Sequence, residues 1–207
     1  MFDKEIDKAL KHLSTQDPII STIIKKYPKC NLKPKRRYFI SLVRAIIGQQ
    51  LSVLAADAIW QKVYSHYNKK LKPEDITGTS HETLRSLGLS NAKVKYVKDL
   101  SEKVLNKEVR LRGFDKMTDN EIIEELTKVK GIGVWTTHMF MMFNLGRLNV
   151  LATGDLGIKK AIMLNYNTET LPTEKDVEEI AQRLNWQPYN TVACWYMWAS
   201  LDEKVEF

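Results

Sequence analysis

The chain has 207 residues, 32 Lys and Arg against 25 Asp and Glu, and a formal net charge of +7. That length suits one domain or two small subdomains sharing a core, and the positive balance suits a polyanionic partner such as nucleic acid. Two cysteines, Cys30 and Cys194, exclude a disulfide framework or a four-thiolate cluster and point to a reduced, cytosolic setting. Residues 1–10 alternate charged and apolar side chains, unlike a signal peptide, and no apolar run approaches membrane-spanning length. Ile6, Ala9, Leu10 and Leu13 then recur at helical spacing and predict a first helix over 2–13. Asp17-Pro18 reads as the cap and first-turn proline of a second helix running to about Tyr27. A basic cluster follows, from Lys25 to Arg37; a solvated face is the ordinary fate of such a cluster, and a DNA-facing one the alternative.

Phe39, Leu42, Val43, Ile46 and Ile47 sit at i, i+3, i+4, i+7 and i+8, the clearest amphipathic helix in the chain. It should end at Gly48, where Gln49, Gln50, Leu51 and Ser52 lead into a helix over 53–67. On composition alone this is a turn whose glutamines cap backbone groups. Residues 73–87 hold a short helical piece, and Gly88-Leu89-Ser90 caps a long helix whose Lys93, Lys95, Lys98 and Lys103 look mostly solvated. Further helices are predicted over 173–184 and 189–201, the last with a core stripe of Tyr189, Val192, Ala193, Tyr196 and Met197 from which Trp195 and Trp198 point away. No segment sustains strand alternation, so the fold class is all-α.

The stretch from Leu126 to Lys160 organises the rest. Thr118-Asp119-Asn120-Glu121 spells a capping box ahead of Ile122, Ile123 and Leu126. That helix should stop at Lys130-Gly131, because glycine takes left-handed conformations without steric cost. A second helix starts after Gly133 and holds Trp135, Met139 and Met142 at helical spacing. Two helices joined by Gly131-Ile132-Gly133 make a tight hairpin, and unpaired N–H groups at the start of the second attract a phosphate. A loop then leads to Asp155, at the head of a third helix. Alone, such an acid is an ordinary N-cap.

The run Val129-Lys130-Gly131-Ile132-Gly133-Val134-Trp135-Thr136-Thr137, followed by Gly154-Asp155-Leu156-Gly157-Ile158, resembles the helix-hairpin-helix DNA glycosylases of the HhH-GPD superfamily, nearest to the 3-methyladenine type. Lys130 stands where the family has proline, and the loop before Asp155 lacks the usual proline. The likeness extends to Leu42–Val53 and to the C-terminal run from Trp186 to Tyr196. It implies the helix-hairpin-helix glycosylase fold: a central subdomain over 36–147, a second formed by 1–35 and 148–207, and an active-site cleft between them. It also implies a monofunctional glycosylase of base-excision repair that flips out alkylated purines and hydrolyses the glycosidic bond, leaving an abasic site.

Asp155 is then the catalytic carboxylate, stabilising the oxocarbenium character of the sugar. Trp135 and Trp195 form the base pocket, where an aromatic face attracts a cationic alkylated base. Gly131, Gly133, Thr136 and Lys130 hold the phosphate backbone, and Gln50, with Leu51 next, is the wedge that fills the vacated stack. The carbonyls of Thr127, Val129 and Ile132 match the family's ligands for a structural Na or K ion. No cofactor is expected for catalysis. Bifunctional relatives carry a lysine where this chain has Trp135, so no strand cleavage is expected. With Cys194 alone near the C-terminus, no iron–sulfur cluster is expected either. His138 has no His or Cys at metal-site spacing and reads as packing. The resemblance implies double-stranded DNA containing damaged bases as partner, no membrane association, a monomer, and a cytoplasmic location (nucleoid-associated in a prokaryote). Two other readings remain: a glycosylase for deaminated or mismatched bases, and a non-catalytic helix-hairpin-helix binding module. Asp155 argues against the second, because binding gains nothing from a carboxylate beside phosphates.

Overall fold

The computed structural model describes residues 2–201, and all regular structure among them is helical. The chain forms two compact units, one of residues 1–34 and 141–207, the other of 35–140. Residues 141–147, expected with the central segment, thus belong to the unit built from the chain's two ends. No helix among the described residues is long and apolar enough to cross a membrane.

The unit built from the ends holds α1 (Phe2–Gln16), α2 (Pro18–Lys26), a π-helical turn (Met141–Leu145), α10 (Leu156–Tyr166), α11 (Glu174–Arg183) and α12 (Asn190–Ala199). Asp17 caps α2 as its sequence predicts, its Oδ1 accepting the N–H groups of Ile19 at 2.9 Å and Ile20 at 3.1 Å. Its Oδ2 accepts the Trp186 Nε1–H at 2.9 Å and the Tyr166 hydroxyl, so a fully buried carboxylate is satisfied on both oxygens. Helix α12 lies against α1, α2 and α10. Every residue of α12 except Trp198 is buried. That corrects the predicted stripe. A helix packed on several sides has no polar face, so Trp195 turns into the core although the periodicity excluded it.

The second unit holds α3 (Tyr38–Gly48), α4 (Val53–His66), α5 (Pro73–Gly78), α6 (His81–Ser86), α7 (Asn91–Leu105), a 3₁₀ turn (Phe114–Lys116), α8 (Asp119–Thr127) and α9 (Val134–Phe140). The amphipathic reading of α3 holds: Leu42, Val43, Ile46 and Ile47 are completely buried. Each such side chain contributes roughly 1.5–3 kcal/mol relative to exposure. The single piece expected over 73–87 is two helices, divided at Thr79-Ser80. Ser80 caps α6 by accepting the Thr83 N–H, and the Thr79 carbonyl accepts the Lys98 ammonium at 2.8 Å. Helix α8 ends at Thr127, short of the expected Lys130. Tight turns replace its last hydrogen bonds, Val129 N–H to Leu126 O and Ile132 N–H to Val129 O, both 3.1 Å. The Lys130 N–H goes instead to Asp99 Oδ2 at 2.8 Å.

Candidate active site and nucleic-acid interface

Asp155 belongs to the unit of the chain ends. It is the N-cap of α10, with extended backbone, and its Oδ1 accepts the Ile158 N–H at 2.8 Å. The same oxygen accepts the Nε1–H of Trp198 at 2.9 Å. Only 8% of the residue is exposed. Two N–H donors on one oxygen fix the carboxylate plane more tightly than a cap alone. Gly157 makes the arrangement possible: a Cβ there would lie 3.0 Å from both Asp155 Oδ1 and Trp198 Cδ1. Phe143 flanks the indole, ring centroids 6.0 Å apart. Cys194 lies beneath; burial pushes its thiol up to about 12, with the charge of Asp155 adding to the rise against a backbone hydrogen bond at Ala152.

The tryptophan at the carboxylate is therefore Trp198, which sequence reasoning passed over. Trp195 is 2% exposed and packs edge-on against Tyr196, ring centroids 4.8 Å apart. The signal was present: Trp198 follows Trp195 by one helical turn, and indole is the larger of the two kinds of side chain that can both stack and donate. What the sequence lacked was the direction of α12.

The hairpin belongs to the other unit. Gly131 has φ +82°, and a Cβ on it would come within 2.3 Å of the Tyr96 ring, so only glycine fits. A Cβ on Gly133 meets nothing within 4 Å, so that position opens outward. Val134 and Trp135, half exposed, follow it at the start of α9. Thr136, expected to offer its hydroxyl, is 6% exposed and turns inward with Thr137. The first two residues of α9 face out and the next two face in, as a helix lying on a core requires. The Lys130 side chain is 73% exposed, its ammonium 3.8 Å from Asp99.

Around the hairpin, side chains take particular carbonyls. Lys103 Nζ reaches the Lys128 carbonyl at 2.5 Å, and Gln49 Nε2 reaches the Gly131 carbonyl at 2.7 Å. The carbonyls of Thr127, Val129 and Ile132 alternate with these; that of Val129 accepts the Ile132 N–H. All three are neutral backbone oxygens, with no carboxylate in the run from Thr127 to Ile132. Among the described residues no three His, Cys, Asp or Glu side chains gather as a metal site.

In the turn between α3 and α4, Gln50 is exposed with φ +56°, and Leu51 is 39% exposed. Val53 and Leu54, at the start of α4, are 77% and 85% exposed. Gln49 does what glutamines in turns ordinarily do and pairs with a backbone group, although that group lies in the hairpin. Of the α7 lysines, Lys95 is exposed as expected, whereas Lys93, Lys98 and Lys103 depart from expectation. Lys93 donates to the Ile47 carbonyl at 2.7 Å, Lys98 to Thr79 and Lys103 to Asp99 and Lys128. Long stems let their ammonium groups satisfy carbonyls orphaned at neighbouring turns.

Residues 43–187 match the family described as HhH-GPD superfamily base excision DNA repair protein. The alkylbase DNA glycosidase-like protein mag2 of Schizosaccharomyces pombe is 31% identical over 202 residues, 95% of this chain and 94% of that protein. DNA-3-methyladenine glycosylase 1 of the same yeast is 30% identical over 199 residues, 93% of this chain and 86% of that one. Among solved structures, the S. pombe 3-methyladenine DNA glycosylase in complex with abasic DNA superposes with a TM-score of 0.81 at 29% identity, covering 96% of this chain and all of that one (100%). The DNA-3-methyladenine glycosidase of Bacillus halodurans gives 0.83 at 35% identity, covering 94% and 89%. A match over well more than half the chain, two relatives spanning nearly its whole length and a shared all-helical fold lead to one conclusion: the chain belongs to the HhH-GPD superfamily of base-excision DNA repair proteins.

Proposed function

We propose that this protein is a monofunctional DNA glycosylase that removes alkylated purines of the 3-methyladenine type from double-stranded DNA and leaves an abasic site. The observation that carries the reading is Asp155, its Oδ1 held by the Ile158 N–H and the Trp198 indole in a chain of this family. As the base departs, positive charge develops on the sugar, and a preorganised carboxylate stabilises it without reorganising. The same group orients the attacking water and accepts its proton. A purine alkylated at N3 or N7 is cationic and already a good leaving group, which suits a site built on one carboxylate. The partly exposed indole of Trp198 offers a face to such a base, and Trp198 replaces Trp195 in this role.

Anchoring falls to the hairpin. The N–H groups around Gly131 and Gly133 face a phosphate, Lys130 adds a charge, and neither reads sequence. An alkali cation on the carbonyls of Thr127, Val129 and Ile132 would add a positive charge beside that phosphate. Gln50, with Leu51, enters the stack where the nucleotide leaves. Strand cleavage needs an amine to condense with the opened sugar, and the bifunctional relatives' lysine is here Trp135.

Incubation with methylated duplex DNA tests the reading. Free 3-methyladenine should appear, Asp155→Asn should abolish most release while keeping affinity for DNA, and borohydride should trap no covalent adduct. Release by Asp155→Asn at the wild-type rate would remove Asp155 from the reaction, and a trapped lysine adduct would overturn the monofunctional assignment.

A further inference from the structure

The Gln50–Leu51 turn and the Gly131 hairpin lie on one unit, 82 residues apart in sequence where Gln49 meets Gly131. Three attachments govern their spacing. Gln49 Nε2 joins them directly, donating to the Gly131 carbonyl at 2.7 Å in a partly buried setting. Helix α7 holds the hairpin along one edge: Tyr96 closes on Gly131, Asp99 accepts the Lys130 N–H and Lys103 donates to the Lys128 carbonyl. Residues 96, 99 and 103 stand at i, i+3 and i+7, so one helical face does all three. The same helix holds the end of α3 through Lys93 on the Ile47 carbonyl at 2.7 Å.

We infer that Gln49 is a positioning residue, gripping the Gly131 carbonyl so that Gln50 and Leu51 enter the duplex in register with the phosphate anchored by the hairpin. The inference rests on the proposed reading of Gln50–Leu51 as wedge and of the hairpin as anchor. Two details of geometry single out Gln49. Both ends of the Gly131–Ile132 peptide are taken, the oxygen by Gln49 and the N–H by the Val129 carbonyl at 3.1 Å. That peptide stands between the Gly131 and Gly133 N–H groups in the chain, so its plane bears on how both are aimed. On the other side, Gln50 is held at φ +56°, a conformation that non-glycine residues keep only where the surroundings over-determine it. Gln49, the residue before it, is what ties the turn to something rigid. Freed from Gly131, the turn is expected to relax and the wedge to lose its register, while the hairpin keeps its three contacts with α7.

The test compares Gln49→Met, which keeps the length and loses the donor, with Gln49→Lys, which keeps a donor of similar reach. The substrate is a duplex carrying one 3-methyladenine beside 2-aminopurine, whose fluorescence rises when its neighbour leaves the stack. Gln49→Met should slow both the fluorescence rise and single-turnover base release by about tenfold, the effect of one lost hydrogen bond. Affinity for undamaged duplex should stay near wild type, and Gln49→Lys should recover most of the rate. Because Gln49 acts through Gln50, adding Gln49→Met to Gln50→Ala should cost nothing further. An additive loss in that background, equal losses in release and in undamaged-duplex affinity, or no loss at all would each overturn the inference. Should Gln49→Met fail to fold, Gln49→Glu, isosteric and without a donor, takes its place against Gln49→Lys. If Gln50→Ala alone releases base at the wild-type rate, the wedge reading itself fails, an outcome distinct from a silent Gln49.

Discussion

At Asp155 the two donors on Oδ1 differ in kind. The Ile158 N–H belongs to the cap and survives any side-chain change, whereas the Trp198 indole N–H can be removed while its aromatic face is kept. Hydrogen bonds to charged groups contribute about 1.5–3 kcal/mol. If the geometry they hold is the one the reaction uses, Trp198→Phe should lower single-turnover base release by about ten- to a hundredfold, with affinity for undamaged DNA unchanged. Trp198 is the one residue of α12 that is not buried, so the fold should tolerate the change. Release at the wild-type rate would show that the indole N–H does not position the carboxylate. Asp155 itself was legible in sequence, because capping chemistry and the Gly-Asp-Leu-Gly context are local. Its partner was not, because 43 residues separate Trp198 from Asp155 and the pair meets only through the packing of α12 on α10.

The hairpin is the element on which DNA affinity should depend, and its two glycines are open to different tests. Gly131 faces Tyr96 and any side chain there breaks the packing, whereas Gly133 opens onto empty space. Gly133→Leu should therefore keep the melting temperature near wild type and weaken binding to all duplex DNA, undamaged included. Unchanged affinity in a fluorescence-anisotropy titration would show that this side of the hairpin does not meet the backbone. A second expectation concerns acid. Burial opposes the charge of Asp99, yet the Lys130 N–H and the Lys103 and Lys130 ammonium groups outweigh it and hold the carboxyl below its ordinary range. A carboxylate with a lowered folded-state pKa contributes stability that is present above the unfolded value, about 3.9, and is lost as pH falls through the folded one. The second unit should thus lose stability as pH drops below about 4, and Asp99→Asn should flatten that loss in urea titrations read across the same range. An identical pH slope in the variant would mean that Asp99 does not clamp the hairpin.

For the whole molecule, the charge of +7 and the family together point to a salt-sensitive association. Each phosphate neutralised adds about −0.9 to the slope of log affinity against log salt. Lys130 is exposed at the hairpin, so Lys130→Ala should make that slope shallower by about 1, whatever the DNA sequence. A slope equal to wild type would place Lys130 off the DNA. The chain's division into two units, one of them assembled from residues 1–34 and 141–207, is a property of this same scale. Sequence patterns mark element ends well but carry little about which distant segments share a core, and residues 141–147 fell on the other side of the expected boundary for that reason.

The sequence by itself determined what depends on neighbours along the chain. The Asp17 cap, the capping box at Thr118, the buried stripe of α3, the glycine hairpin and the cap at Asp155 all follow from spacing within a turn or two. The tertiary structure alone decided which tryptophan meets Asp155, that Thr136 turns inward, that Lys93, Lys98 and Lys103 clasp carbonyls, and that Gln49 reaches Gly131. Each of these turns on a side chain's direction within a packed core or on a pairing between segments far apart in sequence. Periodicity reports that a helix has faces; only packing against the other helices says which face meets what.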